Sequence, residues 1–195
     1  MGIGGGGSNA VNYMFEHGIN GVDFVICNTD SQALEASPVP IKIQLGASLT
    51  EGLGAGANPE VGRKAAEESA DRITELLDAN TKMLFLTAGM GGGTGTGAAP
   101  VIAEIAREKG ILTVGVVTNP FSTEGGFRKQ YAEEGVAELK KHVDTLLIIN
   151  NDKLIEVYGD LTFTQAFGKA NEILNTATKG IAEVISQHLL VNIES

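Results

Sequence analysis

The sequence predicts an α/β fold: a Rossmann-like, doubly wound and mostly parallel sheet with helices on both faces and a long C-terminal core helix. Three observations support this. Short apolar segments alternate with segments of helical periodicity. Glycine makes up 26 of the 195 residues and is clustered, which is typical of backbone that closely approaches a ligand or another segment. The C-terminal part follows a single, long helical pattern.

Five short apolar segments are predicted to be strands. Their weak alternation between apolar and polar residues is typical of parallel strands covered on both faces. The segments are Asp23–Cys27, Ile41–Leu45, Met83–Leu86, Leu112–Val117 and Thr145–Ile149. Another strand should precede the glycine loop that begins at Gly2, and we expect it to be missing or very short.

Four helices are predicted between these strands, at Asn9–His17, Pro59–Asp78, Ala98–Lys109 and Gly126–His142. Asn58 before Pro59 is a favourable N-cap, and proline is favoured at the first helical position. After them, the apolar residues between Phe163 and Ile185 recur at helical spacing, which predicts one helix of about 25 residues.

The composition limits the classes of partner. The net charge of −10 argues against nucleic acid and anionic membrane as partners. A small phosphate ligand is compatible with this negative charge, because backbone N–H groups at helix starts can bind it without lysine. The single cysteine, Cys27, lies in an apolar segment and is expected to pack as a small hydrophobe. The sequence has neither a signal peptide pattern nor a membrane-spanning apolar segment, so a cytoplasmic location is predicted.

Three glycine-rich loops each lead into a predicted helix. Gly2–Asn9 satisfies GxGxxG, but a tight turn or a linker gives the same pattern. Gly91–Gly97 contains five glycines in seven residues, with hydroxyls at Thr94 and Thr96, and leaves its amides free for an anion. Gly52–Glu60 is the third loop. Together they could surround one polyphosphate, whereas the absence of GxxxxGK[ST] and of Asn-Lys-x-Asp excludes Walker-type and Ras-like sites.

The glycine loops resemble those of a known family. Gly91–Gly97 reads GGGTGTG, which is similar to the signature of the tubulin/FtsZ superfamily of GTPases. Further similar segments are Gly4–Asn9, Asn28–Leu34 and Gly54–Gly62 for its other phosphate loops, Pro120–Gly125 for its PFxFEG sugar loop, and Asn151–Leu154 for its NDKL element. The resemblance covers nearly the whole chain and favours FtsZ over tubulin. Thr123 departs from it, because the family usually has an aromatic residue at that position.

The resemblance implies a site for GTP or GDP, with Mg²⁺ as a further candidate cofactor for which no protein ligand is assigned. The nucleotide-binding residues that it implies are Gly5, Gly6, Asn9, Asn28, Asp30, Ala55, Ala57, Gly91, Gly92, Gly93, Thr94, Gly95, Thr96, Glu124, Arg128, Phe167 and Asn171. The glycines and Thr96 would bind the α- and β-phosphates, and the amides of Ala55 and Ala57 would contact the γ-phosphate.

The remaining implied roles concern the sugar, the base and the reacting phosphate. Glu124 and Arg128 would hold the ribose and a nearby phosphate, although residues four apart could also form a surface helix pair. Phe167 would lie against guanine and Asn171 would bond its edge, although Phe167 could also be plain core. Asn28 and Asp30 would lie near the γ-phosphate, water and metal.

The family's catalytic loop, approximately N-x-D-x-x-D, follows the long helix. Here Asn192 and Glu194 occupy its first polar and acidic positions and are expected to act in trans on the nucleotide of a neighbouring subunit. Both ends of the chain are expected to be truncated. The predicted organisation is a nucleotide-binding domain over 1–161, the long helix over 162–188 and the start of the catalytic loop over 189–195.

The resemblance implies a GTP-binding and GTP-hydrolysing domain of a tubulin-like cytoskeletal protein for bacterial cell division. Such a protein polymerises head to tail with itself, completes hydrolysis at the subunit contact, lies at the division site and binds division adaptors through regions outside this chain. One alternative is a GTP-binding capping fragment without hydrolysis of its own. Another is a nicotinamide-dependent oxidoreductase, because Asp30 follows GxGxxG by a little over twenty residues.

Overall fold

The computed structural model describes residues 1–19, 21–78, 80–159 and 161–194, and for residue 163 and residues 184–194 it describes the backbone alone. In this part of the chain the sheet has six strands, all parallel, in the order β3-β2-β1-β4-β5-β6. The strands are β1 Gly2–Ile3, β2 Val25–Asn28, β3 Ile41–Gln44, β4 Met83–Gly89, β5 Leu112–Asn119 and β6 Thr145–Asn150. The predicted α/β class and the very short first strand are confirmed.

The neighbouring strands β4 and β5 run further than predicted. Their last residues pair with each other in the ladder, Thr87 with Val116 and Gly89 with Thr118. Apolar patterning missed these residues because threonine and glycine are not apolar, while backbone pairing does not depend on the side chain. Strand β4 therefore continues to within two residues of the Gly91–Gly97 loop.

The helices are α1 Gly4–His17, α2 Ser31–Glu35, α3 Ala47–Thr50, α4 Pro59–Glu68, α5 Ala70–Leu77, α6 Thr94–Glu108, α7 Gly126–Lys140, α8 Asn151–Tyr158 and α9 Phe163–Glu194, with a 3-10 turn at Ser122–Glu124. Helix α1 begins at Gly4 rather than Asn9, and α6 begins at Thr94 rather than Ala98. The predicted glycine loops are therefore partly the first turns of helices. Glycine has a low helix propensity, which is why the pattern placed these starts too late.

The predicted helix Pro59–Asp78 is two helices, because Ser69 leaves helical geometry at φ −96° and ψ 11°. The Ser69 hydroxyl accepts a hydrogen bond from the amide of Gly46, 3.1 Å away, and thereby fixes the break against the end of β3. The short helices α2 and α8 were not predicted, although the side chains of Asp30 and Asn150 cap them.

Helix α9 has 32 residues and extends beyond the predicted limit at residue 188. Leu189–Glu194 is helical here instead of the predicted loop, because it contains neither glycine nor proline to end the helix. Ala166, Ala170 and Leu174 form its buried stripe. Leu174 shares a core cluster with Ala10 of α1 and Val116 of β5, so α9 covers the face of the sheet that α1 covers.

The two faces of the sheet carry separate parts of the core. On one face, Ile102 of α6 and Ile73 of α5 pack with Val117 of β5. On the other face, α1 and α9 pack with Val114 and Val116. Helices therefore lie on both faces, and the doubly wound arrangement is confirmed. In the described part of the chain, no helix combines the length and the hydropathy that crossing a membrane requires.

Candidate functional site

The topology of the sheet marks one position for a ligand. Strands β1 and β4 are neighbours, yet α1 after β1 and α6 after β4 lie on opposite faces of the sheet. A crevice is therefore left outside the carboxyl ends of these two strands. Open α/β sheets bind their ligands in such a crevice.

A pocket of about 260 Å³ occupies this crevice. It is lined by Ile3, Gly5, Gly6, Ala55, Ala57, Gly89, Gly92, Gly93, Thr94, Gly95 and Arg128. Except for Ile3 and Gly89, these are residues that the sequence assigned to the nucleotide. Ile3 and Gly89 are the last residues of β1 and β4, and locating the two strand ends from the sequence would have found them.

The glycines around the pocket fall into two groups. A Cβ atom at Gly5 or Gly92 would meet no heavy atom within 4 Å, so these two positions leave space open for a ligand. A Cβ at Gly93 would lie 2.7 Å from the amide nitrogen of Asn58, and one at Gly95 would lie 2.8 Å from the carbonyl oxygen of Gly89. Gly93 and Gly95 therefore allow the backbone segments of the site to approach one another.

The pocket lies at the N-termini of two helices, α1 at Gly4 and α6 at Thr94. Neither helix start has a side-chain cap or an acidic residue in its first turn. The amides of a first turn have no partner within the helix, and the helix dipole adds positive potential there. Helix α4 differs, because the side chain of Asn58 accepts the amide of Glu60 at 3.0 Å. Two uncapped helix starts thus offer free donors to one anionic ligand.

The two threonines of the signature loop have different partners. The hydroxyl of Thr94 lies 2.7 Å from that of Thr29, which follows β2, and Thr94 lines the pocket. The Thr96 hydroxyl accepts the amide of Gly91 at 2.8 Å and does not line the pocket. Thr96 was expected to bind phosphate, whereas its observed hydrogen bond maintains the shape of the loop.

The polar residues after β2 hold the chain at the edge of the site. The carboxylate of Asp30 accepts the amides of Gln32 and Ala33 at 2.9 and 3.2 Å, so it caps α2. The side-chain oxygen of the buried Asn28 accepts the amide of Asp30 at 3.3 Å. Asn28 and Asp30 do not line the pocket, and neither does Asn9, which lies exposed on α1.

Of the residues expected at the sugar and base, Arg128 lines the pocket, whereas Glu124, Phe167 and Asn171 do not. The Glu124 carboxylate accepts the amide of Phe121 at 2.6 Å. Gly91 is at φ 105°, and a Cβ there would lie 3.0 Å from the carbonyl oxygen of Arg128. Substitution at Gly91 would therefore strain the backbone that supports Arg128.

Phe121 and Phe167 form an aromatic pair. Phe121 is 1% exposed and packs edge to face on Phe167, which is 47% exposed. Phe167 is thus not plain core, and Asn171 follows it by one helical turn and is half-buried. The open part of the Phe167 ring leaves room for a flat ligand. Phe121 packs against Phe167 and supports it. The sequence analysis gave Phe121 no role in the site, although it belongs to the segment that resembles the sugar loop.

The pocket contains one charged side chain, that of Arg128, and no carboxylate among the described residues. In the same part of the chain, no three His, Cys, Asp or Glu residues are close enough to hold a metal ion. The pocket can bind an anion, but its own lining has no group that could accept a proton from water. The side chains of Asn192 and Glu194 lie outside the described residues, so their assignment to catalysis stays a prediction.

Comparisons with known proteins agree with this geometry. A sequence model of the Tubulin/FtsZ family, GTPase domain, matches residues 1–159. The chain belongs to the tubulin/FtsZ family. The resemblance of the glycine loops to this family is therefore confirmed. Family membership also excludes the nicotinamide-dependent oxidoreductase, although the strand order alone is that of dinucleotide-binding folds.

Individual tubulin/FtsZ family members are similar over nearly all of this chain. It is 55% identical over its full length to the cell division protein FtsZ of Wigglesworthia glossinidia brevipalpis and covers 50% of that protein. The empty FtsZ dimer of M. jannaschii matches 93% of the chain at 47% identity and a TM-score of 0.89, with 53% of that chain covered. The GDP-bound CetZ1 monomer of Haloferax volcanii matches 90% at 26% identity and a TM-score of 0.80, with 56% covered. The chain spans about half the length of the curated relatives it matches.

Proposed function

We propose that the chain binds GTP and GDP in the crevice between β1 and β4 and forms the nucleotide-binding half of a GTPase site. The observation that carries the proposal is the convergence of two uncapped helix N-termini on one pocket. Gly5 and Gly92 leave space there, and Arg128 adds the one charged side chain of the lining. A polyphosphate has the negative charge and the many acceptor oxygens that such a site satisfies.

The phosphates lie between the first turns of α1 and α6 in this proposal. The amides of Ala55 and Ala57 face the same pocket from the loop before α4 and contact the terminal phosphate. A nucleoside diphosphate lacks that contact. Movement of this loop therefore distinguishes GTP from GDP.

The base binds against Phe167, with Asn171 at its edge. An amide side chain offers both a donor and an acceptor, which suits the edge of guanine. The GDP bound by the CetZ1 relative supports a guanine nucleotide rather than an adenine nucleotide. The carboxylate of Glu124 accepts a hydrogen bond from the amide of Phe121. Glu124 is four residues from Arg128, and both side chains contact the ribose.

Hydrolysis is completed by a second subunit. The described pocket has no carboxylate, and the Asp30 carboxylate already caps α2, so water at the γ-phosphate needs an acid from outside. Asn192 and Glu194 are the groups that this chain contributes in trans to the next nucleotide. Leu53 lies on the loop before α4 and Phe127 lies in the first turn of α7. They are 84% and 77% exposed and supply apolar area for that contact. The FtsZ dimer of M. jannaschii supports self-association.

Any Mg²⁺ at the site is held mainly by phosphate oxygens and water. This ion commonly keeps several waters and uses only one or two carboxylates. The uncapped amides of α1 and α6 suit a nucleotide with or without the ion. The cation neutralises charge on the terminal phosphates when it is bound, and the chain's own residues orient those phosphates.

The complete protein acts in bacterial cell division as a head-to-tail polymer in the cytoplasm at the division site. The curated relatives named cell division protein FtsZ, at 55% identity, support this role. Division adaptors bind through regions outside this chain. The second candidate is a chain that binds GTP and caps a polymer without hydrolysis of its own, and the carboxylate-free pocket favours it for the chain in isolation.

The test identifies the nucleotide that the purified chain retains and then displaces a fluorescent GTP analogue. We expect retained GDP or GTP, and displacement by either of these but not by ATP or NAD. Equal competition by ATP would contradict a guanine nucleotide site. Phosphate release in the presence of a second subunit separates the two candidates, because the capping fragment shows none under that condition.

A further inference from the structure

A second cavity lies among the helices on the face of the sheet that α6 covers. It has a volume of about 350 Å³ and is an open groove between α4 and α7 above α6. This volume lies within the range of about 300–1,000 Å³ that is usual for ligand clefts. The groove and the nucleotide pocket have no lining residue in common. We call it the α4–α7 groove.

The bottom of the α4–α7 groove is apolar and its rim is acidic. Pro59, Pro100 and Val101 line the bottom, with the half-buried Tyr131 on the side of α7. The rim carries five carboxylates, one guanidinium and the imidazole of His142, which lies 3.5 Å from the carboxylate of Glu138. The carboxylates belong to Glu60, Glu67, Glu104, Glu134 and Glu138.

Part of this acidity is unpaired. Arg63 bridges Glu60 and Glu67 along α4, and Lys141 pairs with Glu138 at 3.0 Å. Glu104 on α6 and Glu134 on α7 have no cationic partner among the residues that the structure describes, and Glu134 accepts a hydrogen bond only from the neutral amide of Gln130, at 3.3 Å. Both are exposed. The groove therefore presents free negative charge on two sides of an apolar strip.

The charge and the apolar strip limit the occupant. A metal ion is disfavoured because no three potential ligands lie together in the described part of the chain. Basic side chains would complement Glu104 and Glu134, while an apolar side chain between them would cover Val101.

We propose that the α4–α7 groove docks a basic, amphipathic segment of a partner protein. Arginine or lysine residues of that segment pair with Glu104 and Glu134, and an apolar residue packs on Pro100 and Val101. The proposal is independent of the nucleotide, since none of these residues lines the nucleotide pocket.

The probe is a fluorescent synthetic peptide of about twelve residues that repeats two arginines and one leucine. Two control peptides replace its leucines by serine or its arginines by glutamate. Anisotropy titrations at low salt are expected to show binding of the first peptide to the full chain, at least about fivefold weaker binding of the serine peptide and no binding of the glutamate peptide. Equal binding of the serine peptide, or full displacement by spermine, would reduce the groove to a polycation site and overturn the proposal.

A matched pair of double variants locates the peptide. Glu104→Gln with Glu134→Gln removes the two unpaired carboxylates, and Glu108→Gln with Glu133→Gln makes the same charge change on the same helices outside the groove lining. We expect the first variant to bind the peptide about fivefold more weakly and the second to change affinity less than about twofold. If both double variants bind the peptide equally weakly, the peptide is attracted to the acidic protein in general. If neither variant changes the peptide affinity, the peptide does not bind in the α4–α7 groove. Either result would reject the proposal.

A second measurement does not depend on the variants. Addition of the peptide to the isotopically labelled, unmodified chain should shift amide resonances on the groove faces of α4, α6 and α7. Shifts centred on any other surface, or the absence of shifts, would overturn the assignment.

Discussion

Phe167 packs edge to face on Phe121, with ring centroids 5.3 Å apart and an interplanar angle of 85°, yet only Phe121 is fully buried. Phe121 follows strand β5, and Phe167 lies on the first turns of α9. A buried ring thus fixes the position of the half-exposed ring that we propose binds the base. We therefore expect Phe121 to support the fold and Phe167 to bind the base, and a substitution at each position tests the two roles separately.

The first prediction compares alanine at these two positions. Phe167→Ala should weaken GTP binding by about 1–3 kcal/mol, because stacking of a base on an aromatic ring contributes on that scale. Its effect on the free energy of unfolding should be small, since the ring is half exposed. Phe121→Ala should instead lower that free energy by about 3–5 kcal/mol. Nucleotide titration and urea unfolding measure both, and normal binding by Phe167→Ala would remove this residue from the base site.

The second prediction uses the two groups of glycines. Gly92→Val places a side chain in the open pocket, where a Cβ meets nothing within 4 Å, so it should abolish nucleotide binding without loss of the fold. Gly95 is the position that the signature motif suggests for this test, but it is buried against the carbonyl oxygen of Gly89. Gly95→Val should therefore reduce both stability and binding. Normal GTP binding by a folded Gly92→Val would place the phosphates elsewhere.

The third prediction concerns Thr96, whose hydroxyl accepts the amide of Gly91. Thr96→Val keeps the shape of the side chain but leaves a buried amide without an acceptor, which costs about 1–3 kcal/mol. Both stability and nucleotide affinity should fall, because the loop loses its internal bond. Thr96→Ser retains the hydroxyl and should restore most of both. Loss of affinity at unchanged stability would instead favour direct contact of Thr96 with phosphate.

Much of the fold followed from the sequence for physical reasons. Parallel strands that are buried on both faces consist of apolar residues, and Val114, Val116 and Val117 show this directly. Strand ends and helix starts were placed less well, because Thr87–Gly89 and Gly4–Gly7 form backbone hydrogen bonds without an apolar signal. The break between α4 and α5 at Ser69 depends on a tertiary contact with Gly46, and the sequence around Ser69 alone does not predict such a contact.

The sequence also predicted part of the candidate site, as it did for the fold. The three glycine loops converge on one pocket, as expected from their sequences. The roles of Thr96 and Asp30 could not be separated from ligand binding, because a hydroxyl or carboxylate that caps a turn has the same sequence pattern as one that binds phosphate. The support of Phe167 by Phe121 depends on residues 46 apart in the chain and needed the structure.

The fourth prediction concerns the single thiol. Cys27 is fully buried in β2, and burial raises the pKa of its thiol to about 12. At pH 8 the native chain should therefore react with a disulfide reagent only when it opens, whereas the unfolded chain should react at once. GTP should slow the reaction further, since ligand binding stabilises the folded state. Rapid labelling of the native chain, measured by absorbance, would contradict the burial of β2.

The last prediction concerns the origin of the acid that activates water. The described pocket has no carboxylate, so the 195-residue chain alone should bind GTP but release phosphate very slowly. A neighbour that docks on Leu53 and Phe127 could insert its own acids over the γ-phosphate and supply the missing group. The neighbour in the test is a full-length FtsZ whose own pocket carries the substitution that corresponds to Gly92→Val.

Phosphate release by the mixture should exceed the sum of the rates of the two proteins alone, because the chain supplies the nucleotide and the neighbour supplies the acid. The control mixture contains the Gly92→Val chain and should show no excess, since neither protein then binds GTP. Leu53→Ser should reduce the excess but leave GTP affinity unchanged, because Leu53 is exposed and does not line the pocket. Strictly additive rates would reject catalysis in trans. Fast turnover by the chain alone would mean that the acids of the full-length neighbour are not required.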